Sequence, residues 1–297
     1  MQVELITVPI PAVAEDEVLV SIEAFGVGIH DRYFIPEDAR FPYVIGIEGA
    51  GRITEIGAQV ADFRIGDRVV FTSSMHPKGG TWAEFAVVKQ TGLLAIPDKL
   101  TSEVAATIPV AGVTALQGMK DLGLRAGESL FIAGASGAVG TMAIQLATQR
   151  GARVAGSASA ANLQYMESLG AGKAVDYNNP DWPDEIGKWA DGGVDAALAI
   201  QPDTETTAIK VVRDGGRVIT VSGYGRPQTQ GERGISVAQL AHQDATRQEL
   251  EGLLASIAEG SIRSVIEAEY PFSDALQALE KTETRHARGK LVVKIEE

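Results

Sequence analysis

The sequence predicts an α/β protein in which a doubly wound parallel sheet is accompanied by a separate β-rich region. Three observations predict this class. Short strand-like runs fill the first hundred residues, apolar strands alternate with helices beyond Leu100, and a glycine-rich turn joins one of those strands to a helix. The 297 residues suffice for one large domain or two ordinary ones.

The composition is that of a folded protein with an excess of acidic side chains. Hydrophobic residues make up 45% of the chain and charged residues 22%, which disfavours disorder. The net charge of −13 argues against nucleic acid or an acidic membrane surface as a partner. The chain contains no cysteine, which excludes disulfides, cysteine–zinc sites and a cysteine nucleophile and fits a cytoplasmic location. The N-terminal residues lack the apolar stretch of a secretory signal.

The first hundred residues predict strands separated by glycine-marked turns. The stretch "EVLVSIEAF" at Glu17–Phe25 places Val18, Val20 and Ile22 on one alternating face, and "GRITEIG" and "DRVVF" are similar runs. The stretch "GDRV" at Gly66–Val69 predicts a tight turn that enters a strand.

Helices and strands alternate after Leu100. The stretch "TSEVAATIPVAGVTALQGM" predicts a helix start, with Thr101 or Ser102 as the N-cap and Glu103 in the first turn. The strands expected next are "SLFIAG", "ARVAGSAS", "KAVDY", "VDAALAI" and "GRVITVSG", and "ANLQYMESLGA" is expected to be a helix. A helix, "RQELEGLLASIAEG", and a strand–helix–strand unit follow, and the last strand is a poor candidate for the parallel sheet because a long excursion precedes it.

The uncharged run Ser129–Gln149 raises the question of a membrane span. Gly134, Gly137 and Gly140 interrupt it, and it divides naturally into a strand, a turn and a helix. The sequence therefore predicts no membrane span here.

The turn in this run resembles a dinucleotide-binding fingerprint. Gly137 and Gly140 have the spacing of its second and third glycines, which let backbone N–H groups approach a pyrophosphate and let the helix pack closely. Ala135 occupies the first position and Gly134 lies one residue early. The strand–turn–helix context favours cofactor binding over a purely structural turn. The residues expected to hold the pyrophosphate are Ser136, Gly137, Ala138, Val139 and Gly140.

The end of the next strand bears on the choice between NADH and NADPH. An NADH site usually places a carboxylate there, about 20 residues after the glycines, to bind the ribose 2′-hydroxyl. This chain has Ser157 near that place, and Ser159 and Asn162 follow it. These side chains could donate to a 2′-phosphate, with Lys173 or Tyr177 approaching from the next strand, or they could be ordinary cap and turn residues. The sequence predicts NADPH.

Ligands of parallel sheets bind at the carboxyl ends of the strands. The ends of the later strands are therefore expected to line the cofactor cleft, through Ile200, Ser222, Gly223 and Tyr224.

Seven segments together carry a family resemblance. They are "EVLVSIEAFGVGIHDRYF", "FPYVIGIEGAGRITEIG", "FRIGDRVV", "GGTWAEFAVV", "IPVAGVTALQGM", "AGASGAVG" and "RGKLVVKI". In this order they resemble the medium-chain dehydrogenase/reductase superfamily, in its zinc-free quinone oxidoreductase branch, the relatives of zeta-crystallin. The resemblance implies a GroES-like β-rich catalytic domain at 1–103 and 260–297, interrupted by a Rossmann domain at 104–259. It also implies a homodimer, and a last strand that returns to the first domain.

The resemblance implies NADPH-dependent reduction of a small electrophilic molecule, a quinone or an activated alkene. Tyr33 matches a family tyrosine and is the expected proton donor, although it could instead be a core or rim aromatic residue. Thr114 matches a threonine near the nicotinamide, or it serves helix packing. Asp31 orients or caps its loop, and Lys290 is expected to be structural.

The chain departs from the zinc-containing members of the superfamily. Gly28 stands in the "GVGIHD" segment, which has no cysteine, and Ile47 stands where those members carry a histidine. The four histidines, His30, His76, His242 and His286, show no ligand spacing, so no metal site is expected. Quinone reductases often carry an asparagine at the position of Gly28, where it helps to line the substrate cleft. This loss leaves the substrate range open.

Two other functions remain open at this point. The chain could be an NADPH-binding scaffold or redox sensor with little turnover, because Tyr33 is the only polar catalytic candidate. A zinc alcohol dehydrogenase is the third possibility, which bound zinc in stoichiometric amount would support.

Overall fold

The computed structural model describes residues 2–73, 75–222, 229–230, 232–241 and 245–296. The chain forms two compact units, one of Met1–Val110 with Arg247–Glu297 (unit 1) and one of Ala111–Thr246 (unit 2). The α/β class predicted from the sequence is confirmed. The domain boundaries expected from the resemblance stay a prediction.

Strands predominate before Leu100, and helices alternate with strands after it. The strands are β1 Glu17–Val27, β2 Glu48–Ile56, β3 Arg68–Thr72, β4 Phe85–Lys89, β5 Leu93–Ala95, β6 Ser129–Ala133, β7 Arg153–Ala158, β8 Lys173–Asp176, β9 Val194–Ala199, β10 Val212–Thr220, β11 Thr229–Gln230, β12 Ser236–Gln239, β13 Ile266–Pro271 and β14 Lys290–Lys294. The helices are α1 Ser102–Ala106, α2 Pro109–Asp121, α3 Ala138–Gln149, α4 Leu163–Ser168, α5 Trp182–Trp189, α6 Glu205–Val211, α7 Arg247–Ala258 and α8 Ala275–Glu283.

Unit 1 is built on a sheet with β1 at its centre. The strand order is β13-β14-β1-β2-β3-β5, and β4 also pairs with β1. All pairs are antiparallel except β13 with β14. The alternating Val18, Val20 and Ile22 are buried in its core, as the period of two predicts. The last strand returns to the first, because β14 pairs with β1 through Val27 and Leu291.

Unit 2 is a doubly wound sheet with the order β11-β12-β10-β9-β6-β7-β8. Every pair is parallel except β11 with β12. From β6 the chain first builds outward through β7 and β8, and then returns to the other side of β6 with β9 and β10. The strand order therefore reverses between β6 and β9, where α/β sheets of this kind bind their ligands.

The uncharged run forms β6, a turn and α3, as expected. Among the residues described, no helix is both long and apolar enough to cross a bilayer.

The helix start predicted at Thr101 or Ser102 is confirmed. Thr101 is the N-cap, and its side chain accepts a hydrogen bond from the Val104 N–H, as predicted. However, α1 ends at Ala106, and α2 begins at Pro109. Proline has no N–H and clashes with the preceding turn, so it starts a helix readily but does not continue one.

Candidate functional site

The glycine-rich turn after β6 explains why its first glycine is displaced. Gly134 has a φ of +83°, a region that L side chains rarely adopt. Ala135 is fully buried, and its N–H donates to the Ser157 carbonyl at 3.0 Å. A Cβ on Gly156 would lie 2.6 Å from the Ala135 Cβ, so the alanine methyl fills the space left by that glycine. The turn therefore requires glycine at 134 and accommodates alanine at 135.

The start of α3 has the features of a phosphate cradle. Gly137 is the N-cap and has no side chain to satisfy the first N–H groups of the helix. A Cβ built on Gly137 would have only the Gly134 oxygen within 4 Å, at 3.7 Å, so the space beside it is open. The first-turn N–H groups of Ala138, Val139 and Gly140 have no partner four residues earlier in the helix. Such an N-terminus suits a pyrophosphate, so these residues fit the expected dinucleotide.

Gly140 serves close packing, as expected. A Cβ on Gly140 would lie 2.5 Å from the Ala135 oxygen and 2.6 Å from its carbonyl carbon. Backbone atoms cannot yield as a flexible side chain can. The helix therefore meets the turn only because this position lacks a side chain.

A small polar cluster forms after β7. The Asn162 amide nitrogen lies 3.4 Å from the Ser136 Oγ and 3.3 Å from the Ser159 Oγ, so three of the predicted cofactor residues come together. We call Ser136, Ser159 and Asn162 the polar cluster. The segment Ser157–Asn162 contains no carboxylate. The cluster lies beside the α3 N-terminus because Ser136 precedes Gly137 directly.

The other residues predicted near the ribose take different positions. Ser157 is only 5% exposed, and its carbonyl accepts from the turn. Tyr177 donates its backbone N–H to Ala158 at 3.1 Å, next to Ser159, and its side chain is exposed. Lys173 is held by Glu185 at 2.7 Å, so the structure gives its ammonium another partner.

The ends of β9 and β10 meet at the carboxyl edge of the sheet, and the predicted role of these ends in lining a cofactor cleft stays a prediction. The Ile200 N–H donates to the Ala133 carbonyl at 3.1 Å, and the Ser222 Oγ donates to the Ile200 carbonyl at 2.8 Å. Gly223 and Tyr224 lie outside the described residues. Thr114 is half-buried in α2.

Unit 1 contains a buried ion pair that the sequence interpretation found only in part. Lys290, expected to be structural, pairs with Glu48, and the two residues are 7% and 1% exposed. The second Glu48 oxygen accepts the Val110 N–H at 2.8 Å. A Cβ on Gly26 would lie 2.6 Å from Glu48 Oε1, so the chain must have glycine there. The sequence gives no signal of this contact, because Glu48 and Lys290 lie in strands that are far apart along the chain.

Asp31 lies in the loop that follows β1, and it is 2% exposed. Its Oδ2 accepts the Gly28 N–H at 2.9 Å and the Trp82 indole N–H at 3.2 Å. Asp31 therefore orients its loop, which is one of the two roles expected from the sequence. Burial raises the pKa of Asp31 to about 7, while Lys290 lowers it and Glu48 raises it.

Tyr33 lies in the same loop with 66% of its surface exposed, so it is not a core aromatic. Its backbone N–H donates to the His30 carbonyl at 2.8 Å. A phenol placed in this way is open to an incoming acceptor molecule.

The histidines were considered as metal ligands, and their positions are as follows for the described parts of the chain. No group of three His, Asp or Glu residues there could hold an ion. His76 lies 3.4 Å from Glu17, a separate cluster beside β1, and His242 falls outside the described residues.

Unit 1 also has a groove of about 860 Å³ that does not involve the predicted site residues. It is lined by residues 2–11, 40–45, 77–80 and 82–87, with Phe272 and Leu276.

Comparison with known proteins gives consistent results over both halves of the chain. The family model "Alcohol dehydrogenase GroES-like domain" matches residues 14–98, and "Zinc-binding dehydrogenase" matches residues 169–293. The chain is 30% identical to the chloroplast envelope quinone oxidoreductase homolog of Arabidopsis thaliana in an alignment of 312 positions, which covers 98% of this chain and 93% of the relative.

Two further proteins show the range of names among the relatives. The chain is 31% identical over 301 residues to the chloroplastic NADPH-dependent alkenal/one oxidoreductase of Arabidopsis thaliana, covering 96% of this chain and 73% of the relative. A solved NAD-dependent alcohol dehydrogenase is similar with a TM-score of 0.89 at 26% identity, covering 98% of this chain and 95% of that one.

These relations run over nearly the whole chain and agree with the parallel sheet, the phosphate cradle and the antiparallel sheet described above. The protein belongs to the medium-chain dehydrogenase/reductase superfamily, in its quinone oxidoreductase-like branch, and is an oxidoreductase of this nicotinamide-dependent family.

Proposed function

We propose that the protein is a zinc-independent, NADPH-dependent oxidoreductase that transfers hydride to a quinone, an enone or a related activated carbonyl compound. The observation that carries the proposal is the uncapped start of α3 at Gly137, with an acid-free polar cluster beside it. The names of the relatives, quinone oxidoreductase and alkenal/one oxidoreductase, support this class of acceptor.

The cofactor would be held at three places in unit 2. Backbone N–H groups from Ser136 to Gly140 would bind the pyrophosphate. The hydroxyls and amide of the polar cluster would donate to the 2′-phosphate, with Tyr177 near the same strand end. The ends of β9 and β10, through Ile200 and Ser222, would line the cofactor cleft, and the bound nicotinamide supplies the hydride.

Electrophilic acceptors suit the residues that remain. Quinones and enones accept hydride without a Lewis acid, whereas the zinc members rely on a cysteine, which the segment "GVGIHD" lacks, and on a histidine, which is here Ile47. We propose that Tyr33 donates a hydrogen bond or a proton to the acceptor oxygen, supported by its exposed phenol. Thr114 is proposed as a second contact near the nicotinamide, on the strength of the resemblance.

A charge placed in the polar cluster tests the cofactor assignment. Ser159→Asp puts a carboxylate where a 2′-phosphate would bind, so the Kd for NADPH should rise by about tenfold or more. The Kd for NADH, which lacks this phosphate, should change by less than about threefold. Fluorescence titration of both cofactors measures the two constants.

Gln164→Glu is the matched control, because it adds the same charge on the exposed side of α4. It should leave the ratio of the two constants unchanged. An unchanged ratio in Ser159→Asp would contradict the assignment of the cluster, and a wild-type preference for NADH would contradict the cofactor itself.

An NADPH-binding scaffold or redox sensor is the second candidate. Gly28 favours it, because the acceptor-lining asparagine of many quinone reductases is absent. NADPH oxidation measured with a panel of quinones, enones and simple aldehydes separates the two: saturable cofactor binding without turnover would favour the sensor.

Zinc analysis of the purified protein tests the metal independence, and sedimentation velocity tests the homodimer, which we propose from the resemblance alone.

A further inference from the structure

A buried charge network lies under the loop that carries Tyr33. It consists of Asp31, Glu48, Lys290 and the Trp82 indole, and all four residues are less than 9% exposed. The Gly26–Gly28 backbone lies against both partners of the ion pair. A Cβ on Gly28 would lie 3.7 Å from the Lys290 ammonium, and a Cβ on Gly26 would lie 2.6 Å from Glu48 Oε1. The Gly28 N–H in turn donates to Asp31.

The network holds two carboxyl groups and one ammonium. With every group ionised it would carry a net negative charge away from water, which is costly. A proton on one carboxyl removes that cost. Glu48 has Lys290 as its direct ion partner and the Val110 N–H as a donor. Among the described residues, Asp31 has only the N–H groups of Gly28 and Trp82 as donors, so Asp31 is the carboxyl that takes the proton.

The charge on Asp31 affects the shape of its loop. The Asp31 N–H donates to the Gly28 carbonyl at 3.1 Å, while its side chain accepts the Gly28 N–H at 2.9 Å, which closes the turn from both sides. Trp82 anchors the same carboxyl from the segment before β4. Bonds accepted by a carboxylate are roughly twice as strong as those accepted by a neutral carboxyl group.

We propose that Asp31 is a proton-exchanging positioning residue, whose ionised form fixes the Gly28–Tyr33 loop and whose neutral form loosens it. The exchange is simple: the carboxyl releases its proton to solvent and leaves a carboxylate that accepts both N–H groups. Its effect on turnover rests on the proposed function, in which Tyr33 contacts the acceptor. The loosening of the loop does not.

Both forms are present near neutral pH, because burial raises the pKa of Asp31 to about 7. The charged groups that act on it are Lys290 from β14, which lowers the pKa, and Glu48 from β2, which raises it. His30 precedes Asp31 in the loop, and burial, Lys290 and Arg285 hold the pKa of His30 below its usual value.

Tryptophan emission followed from pH 5 to pH 9 tests the titration. The difference between wild type and Trp82→Phe isolates the Trp82 signal, which should change in one transition centred near pH 7 because the indole donates to Asp31. Asp31→Asn keeps an oxygen that accepts both N–H groups but cannot titrate, so its transition should vanish. His30→Gln is the control and should keep the transition.

The two charged neighbours predict opposite shifts of the midpoint. Glu48→Gln should move it to lower pH, and Lys290→Met should move it to higher pH. The proposal would be overturned if the Trp82 emission of Asp31→Asn still changed with pH, or if that of the wild type did not. Neither outcome depends on the Glu48 and Lys290 variants.

Hydrogen exchange and turnover then separate the loop from the reaction. The Tyr33 amide should exchange more slowly relative to its intrinsic rate above the midpoint than below it, and Asp31→Asn should show no such pH difference. In wild type, kcat for a quinone should follow the same transition while the Kd for NADPH stays constant. Absence of turnover with every acceptor would count against the proposed function, whereas equal amide protection on both sides of the midpoint would overturn the loop proposal.

Discussion

Single glycines determine the geometry of the glycine-rich turn after β6. Gly134 supplies the positive φ, Gly137 leaves open the space in which we propose that the pyrophosphate binds, and Gly140 lets α3 meet the Ala135 backbone. The three roles differ physically, so the three positions should respond differently to the same added methyl group.

Gly140→Ala is expected to weaken NADPH binding by about tenfold or more, because its Cβ would lie 2.5 Å from the Ala135 oxygen and displace the turn. Fluorescence titration measures the effect. Gly187→Ala in α5 is the matched control, since nothing lies within 4 Å of its added Cβ. It should bind NADPH normally, and unimpaired binding by Gly140→Ala would show that the turn can relax.

The turn after β6 and the close packing at Gly140 could be predicted from the sequence, because glycine spacing records close backbone approach directly, whereas the cofactor-binding role of these residues stays a prediction. The displaced glycine could be observed but not explained, since the φ of Gly134 and the burial of Ala135 depend on the neighbouring strand. The network around Asp31 could not be predicted. Its members come from β2, the Trp82 segment and β14, and only the folded sheet brings them under one loop.

At the scale of elements, a side chain links the two strands where the order of the parallel sheet reverses. Asp195 of β9 accepts the Ser129 N–H at 2.7 Å and the Ser129 hydroxyl at 2.8 Å, at the start of β6. Arg213 lies 2.6 Å from its other oxygen. Burial alone would raise the pKa of Asp195, but the Ser129 hydrogen bonds and Arg213 outweigh burial and hold this pKa below its usual value.

Asp195→Asn should lower the free energy of unfolding at pH 7 by about 1–3 kcal/mol, because it weakens charge-assisted hydrogen bonds to Ser129. The folded pKa is depressed, so this stabilisation is present above the unfolded pKa of about 3.8 and is lost as the pH falls through the folded value. Urea unfolding at pH 7 and at about pH 2 measures the difference in unfolding free energy between the two proteins, which should narrow at the lower pH. Lys188→Gln, an exposed change in α5, is the control, and a gap that widens on acidification would contradict the assignment.

Elements with a strong local pattern were predictable, and the others were not. β1 shows its alternating apolar face, and α3 follows directly from the glycine turn. The short α5 and α6 were not predicted, although Trp182, Ile186 and Trp189 of α5 have the i, i+4, i+7 spacing of one helical face. Phe131 stacks on Trp182 at 5.2 Å, so α5 is stabilised by a contact with the sheet that its own sequence does not reveal.

For the whole molecule, the buried Asp31 gives stability a pH dependence of unusual sign. Its pKa rises from 3.8 in the unfolded chain to about 7 in the folded protein. Its contribution is therefore fully present below the unfolded value, is lost as the pH rises through the folded value, and is constant above it. Paired carboxylates such as Asp195 act in the opposite direction.

Asp31→Asn should therefore gain stability relative to wild type as the pH rises from 5 to about 7, by at most about 1.4 kcal/mol per pH unit. Above that range the difference should stay constant. Scanning calorimetry of both proteins at pH 5, 6, 7 and 8 gives the two curves. Parallel curves over the whole range would show that Asp31 titrates alike in the folded and unfolded chains.

The pairing of β14 with β1 has a consequence for the synthesis of the protein. Glu48 leaves the ribosome long before its counter-ion Lys290 and before β14, the strand that borders β1. The segment Ala111–Thr246 is continuous and can fold while the chain still grows. In the first unit the Ala24–Val27 part of β1 must instead wait for its partner until β14 has been synthesised, whereas Glu17–Ser21 can already pair with β4. Chaperones that protect an open strand edge would then act on the beginning of this chain rather than on its middle.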